Sequence, residues 1–150
     1  NEPLVWDRLP MTVAFMALFA AFIADRVRPP INVPFILPLL LIVGAGSVVL
    51  WALVDDLRLY GVVKFYPVVG IVLICVLFPG RLTNFKHTLY AFLWFGLATI
   101  FEGLDEEIFC FLDKMVSGHT LKHLAAAMAT YMVLRMLRAA PFDAAPQASD

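Results

Sequence analysis

The chain has 150 residues, of which 62% are hydrophobic and 15% charged, and its net charge is −1. That balance is far more apolar than a soluble domain of this length carries, so water is the wrong solvent for most of it. The near-zero charge and the lack of a basic tract exclude a nucleic-acid binder that works through phosphate contacts.

The apolar residues run uninterrupted instead of recurring every three or four positions, which is the pattern of helices in lipid. The first run, Leu9 to Ala24, is closed by Asp25, Arg26, Arg28 and Pro29-Pro30. About 20 residues are needed to cross the hydrocarbon, so this helix must start near Leu4 and take in Asp7 and Arg8. A second run, 31–54, places Pro34 and Pro38 in its first turns, where a missing N–H is tolerated best, and stops at Asp55-Asp56. The third, 60–78, contains Lys64 and ends at Pro79-Gly80-Arg81. A fourth, 85–101, gives way to the acidic stretch 102–107, and a fifth, 117–137, ends among Arg135 and Arg138. The expected architecture is therefore an all-α, polytopic transmembrane helical bundle over 1–138, with spans near 4–24, 31–54, 60–78, 85–101 and 117–137. Residues 139–150, Ala/Pro-rich and polar, are expected to be a disordered cytoplasmic tail.

With five spans, the first, third and fifth helices run the same way, and their N-terminal ends share a face rich in acids: Asp7, Asp55, Asp56, Glu102, Asp105, Glu106 and Glu107. Arg26, Arg28, Arg81, Lys86, Arg135 and Arg138 gather on the other face. The positive-inside rule makes that second face, with the C-terminus, cytoplasmic. Cys75 and Cys110 then fall on opposite sides as two buried thiols that do not pair. Trp6, Trp51, Tyr60 and Tyr90 fit an aromatic belt at the membrane interfaces. The chain starts at Asn1 without a Met, and the expectation is a fragment of something longer.

Ionisable groups inside spans are expensive and point to function first. His119 and His123 are four residues apart, so their rings stack on one helix face and can reach one metal ion, the reason His-x-x-x-His recurs in zinc sites. Zinc wants four ligands, or three and a water, so further ligands must come from elsewhere. Without a metal the same pair would simply bond between helices. Gly118, Ala126, Ala127 and Thr130 surround the histidine face with small residues and turn it towards neighbouring helices. Asp7 opens a parallel helix at similar depth; it is a candidate metal ligand, an imidazole-orienting partner or a general base, or else a carboxylate favoured by the helix dipole. Lys122 sits about 60° and 100° round the helix from the two histidines, with Glu102, Asp105 and Glu106 as its natural partners. Lys64 is expected to snorkel, and His87 to lie at the cytoplasmic interface.

Two segments, Trp6-Asp7-Arg8-Leu9-Pro10-Met11 and Ser117-Gly118-His119-Thr120-Leu121-Lys122-His123, resemble the alkaline ceramidase family and its superfamily of seven-span, metal-dependent membrane hydrolases, which includes the progestin and adiponectin receptors. The resemblance implies that these five spans correspond to spans three to seven. It implies a zinc site of three histidines, an aspartate and a serine, to which Asp7, His119 and His123 correspond. The third histidine and the serine belong to a span that this chain lacks, as is the family's amino-terminal calcium-binding segment. Arg8 stands where the ceramidases carry an acidic residue, and Lys122 where they carry an apolar one. Those departures leave the metal ligands in place and open the substrate to other lipid amides or esters.

The expected function is thus a zinc-dependent, membrane-embedded hydrolase of a lipid amide such as ceramide, active when full length, with Asp7 catalytic and His119 and His123 on the metal. The site would lie near the non-cytoplasmic face, and its partners would be the bilayer and the lipid substrate. The alternative is a non-catalytic, receptor-like or scaffold membrane protein with a structural metal. A transporter with a polar path ranks last, because the polar groups cluster near one face.

Overall fold

A computed structural model describes residues 2–27, 32–80, 85–112 and 114–139. Among these residues every regular element is helical: α1 (Glu2–Arg26), α2 (Val33–Val54), α3 (Leu57–Leu77), α4 (Phe85–Gly103), α5 (Asp105–Phe111) and α6 (Gly118–Arg138). The chain divides into two compact units, Asn1–Gly80 and Arg81–Asp150.

The first unit packs α1, α2 and α3 against one another. On α1 the buried positions Thr12, Met16, Phe19 and Ala20 recur every three or four residues, which makes one continuous stripe. Ser47, Val48 and Trp51 do the same on α2, and Tyr60, Val63, Lys64, Pro67 and Ile71 on α3. Gly70 lets α1 come close: a Cβ there would lie 2.6 Å from Cε2 of Phe19. The Phe19 ring meets Tyr66 edge-on, with centroids 5.6 Å apart.

Three helical segments, Leu4–Arg26, Pro34–Val54 and Leu57–Leu77, are long and apolar enough to cross a membrane. Their outward side chains are mostly large hydrophobics, among them Phe35, Ile42, Leu53 and Val76, as a surface facing lipid requires. The α2–α3 junction is set by two aspartates. Asp55 adopts φ 55°, a left-handed conformation that Asp tolerates, and its N–H closes α2 on the Trp51 carbonyl at 2.8 Å. Asp56 then caps α3 by accepting the Arg58 N–H at 2.9 Å. This cap starts α3 three residues before Tyr60, where the apolar run begins. At the other end Arg26, buried on α1, donates from Nη1 to the Phe78 carbonyl at 2.9 Å and so satisfies an orphan acceptor at the end of α3.

In the second unit α4 and α6 form the main pair, with α5 between them in sequence. Helices α4 and α6 cover the expected spans 85–101 and 117–137 apart from the N-cap residue 117, but with Lys86, His87 and Glu102 on α4 and His119, Lys122 and His123 on α6 neither is among the segments apolar enough to cross a membrane by composition alone. The acidic stretch is not a plain loop, since Asp105, Glu106 and Glu107 form the first turn of α5, where carboxylates favour the helix dipole. The expected polar tail, 139–150, lies outside the described residues apart from Ala139.

Several expectations about individual side chains change. Trp6 and Tyr90 are exposed as belt residues would be, but Trp51 and Tyr60 are 3% and 7% exposed and belong to the core of the first unit. Lys64 is buried rather than snorkelling, because it faces the packed side of α3. Cys75 and Cys110 are both free, and Cys110 is exposed rather than buried, since α5 has no buried residue. His87 is half-buried, with its Nδ1 enclosed and lacking a hydrogen-bond partner among the described residues.

Candidate metal centre

Ser117 ends the loop before α6 in an extended conformation and accepts the Thr120 N–H on its hydroxyl at 3.1 Å, an N-cap that fixes where the helix starts. Asp105, from the start of α5, accepts the His119 N–H at 2.7 Å. Two of the four orphan donors of α6 are thereby satisfied, one of them by a carboxylate that the helix dipole favours. Gly118 makes this docking possible: a Cβ there would collide with the Phe101 carbonyl oxygen and lie 2.6 Å from Cα of Asp105, both rigid backbone.

The turn so fixed carries the histidines. Their Nε2 atoms lie 3.1 Å apart, and the rings meet edge-on with centroids 4.7 Å apart. One proton shared between the two nitrogens makes this a hydrogen bond; with both nitrogens deprotonated, each offers a lone pair for a metal ion. Two nitrogens bound to a tetrahedral zinc at about 2.0–2.1 Å are themselves about 3.3 Å apart, so the spacing of the pair is close to that of two imidazoles on one ion.

The expectation that small residues would turn the histidine face into the packed interior holds at Gly118 alone, with His119 and Ala126 half-buried. The buried stripe of α6 is Gly118, Lys122, Ala125 and Met136, whereas His123, Ala127 and Thr130 are exposed. It is the lysine face that packs on α4. Lys122, 4% exposed, places Nζ 3.6 Å from Oε1 of Glu102, the ion pair expected from the sequence. Further along the same interface the Thr88 hydroxyl lies 3.5 Å from the Met136 sulfur.

Asp7 lies in the other unit, half-buried in the second turn of α1. Its neighbour Arg8 spreads its guanidinium over Trp51 at 3.8 Å and beside Tyr60 at 4.9 Å from the ring centroids. Sequence reasoning placed the histidine pair and the Lys122 partner but missed two supports. Nothing in the spacing of Asp105 and His119 signals the cap. Gly118 stood out only as a small residue, not as a point of backbone contact. No family model, curated protein or solved structure matches this chain.

Proposed function

We propose that the protein is a zinc-dependent, membrane-embedded hydrolase of lipid amides, related to the alkaline ceramidases. In this reading α4 and α6 join the three apolar helices as the fourth and fifth crossings, and the C-terminus is cytoplasmic. The observation that carries the reading is the convergence of the His119 and His123 Nε2 atoms at 3.1 Å. Helix parity in the sequence supports Asp7 as the third member, because α1 and α6 run the same way in a five-span protein.

His119 and His123 would hold zinc through Nε2, with Asp105, Ser117 and Gly118 fixing their helical turn. When bound, zinc supplies a Lewis acid that polarises an acyl carbonyl and makes water more acidic. Asp7 would orient the attacking water and take its proton. The acyl chain would enter between apolar helix faces directly from lipid.

Full-length protein incubated with fluorescent ceramides and other acyl amides tests the proposal. Hydrolysis that disappears in Asp7→Asn is expected; retained zinc with no turnover of any acyl amide would favour the receptor-like or scaffold reading instead.

A further inference from the structure

Arg8 belongs to the first unit, one residue from Asp7, and its side chain is held by two aromatic rings. Trp51 and Tyr60 are both buried, and each ring centroid lies within 5 Å of the guanidinium carbon, at 3.8 and 4.9 Å. A cation over two aromatic faces is fixed in place and poorly hydrated, which prepares it to bind an anion at little further ordering cost. Its Nη1 is enclosed and has no hydrogen-bond partner among the described residues. Such a donor is expensive to leave unmet, and more so when it carries charge. The two acids of the α2–α3 junction, between Trp51 and Tyr60, are otherwise arranged: Asp55 closes α2 in an exposed left-handed turn, and Asp56 caps α3 and lies 3.9 Å from Arg58.

We infer that Arg8 is the recognition group for an anionic lipid headgroup, a phosphate in the first instance, with Nη1 donating to one of its oxygens. A planar guanidinium suits phosphate and carboxylate oxygens alike, and the edges of apolar α1, α2 and α3 suit the acyl chains. The inference rests on the proposed hydrolase only in making the bound lipid a substrate.

Native mass spectrometry of the full-length protein in detergent tests it, using ceramide phosphate and ceramide with identical chains. Ceramide phosphate should be retained about tenfold better than ceramide, and the preference should vanish in Arg8→Gln. Arg8→Lys keeps a cation but loses the planar fork, and should show an intermediate preference even if the glutamine variant misfolds. An excess of inorganic phosphate should leave the lipid bound. Equal retention of the two lipids, an unchanged preference in the folded variants, or displacement by inorganic phosphate would overturn the assignment. Retention with no acyl-amide turnover would remove the hydrolase reading while leaving Arg8 as a headgroup site.

Discussion

The ammonium of Lys122 lies 3.6 Å from the Glu102 carboxylate, and the lysine side chain is 5% exposed where the glutamate's is 38% exposed. The pair is asymmetric, so its two halves should not be equivalent. Glu102→Gln leaves a buried cation facing a neutral amide, whereas Lys122→Met leaves a carboxylate that water still reaches. The first should cost about 1–3 kcal/mol and the second less. Denaturant unfolding in micelles reads this ranking; a more stable glutamine variant would contradict it.

Gly118→Ala should disturb the histidine turn from behind. Its new Cβ meets backbone of Phe101 and Asp105 that cannot rotate away, so the first turn of α6 must move. Overpacking of this kind costs about 1–3 kcal/mol. Zinc retention should fall with it, while Asp105→Asn, which keeps an acceptor for the His119 N–H, should lose only about 0.3–1 kcal/mol from the helix dipole. Paired unfolding and metal measurements on the two variants distinguish these outcomes.

Much of this was legible in the sequence because helices in an apolar setting announce themselves by uninterrupted runs and by the charges that end them. Ser117 was read as the start of the fifth run and is the N-cap of α6; Pro34 was read as a first-turn residue and is one. The start of α3 was misjudged by three residues because Asp56, a polar cap, extends the helix beyond its apolar part. Facing direction was the weaker inference. Small residues around His119 and His123 do not decide which side of α6 packs; the long Lys122 side chain, with Glu102 to receive it, turns the other side inward. Trp51 and Tyr60 illustrate the same gap, since aromatics near span ends read as belt residues until Arg8 is seen stacked on them.

Arg26 should be a strong tether within the first unit. Its Nη1 donates to the Phe78 carbonyl at 2.9 Å, and the group is buried. Arg26→Met should therefore cost about 1.5–3 kcal/mol, the range for a hydrogen bond to a charged partner. Thermal unfolding should show the loss, and an unchanged midpoint would mean that the carbonyl finds another donor.

The orientation proposed from the Lys and Arg distribution makes a prediction for Cys110, which is exposed on α5, and Cys75, which is partly enclosed on α3. A membrane-impermeant maleimide applied from the non-cytoplasmic side should modify Cys110 and spare Cys75. Labelling of Cys110 only after the cytoplasmic side is opened would reverse the assignment.

Elemental analysis of the purified full-length protein, beside His119→Ala and His123→Ala, addresses the metal centre without intermediary. About one zinc per chain in the wild type, and little in either variant, is the expected result. Equal zinc in all three proteins would show that the converging imidazoles hold no ion.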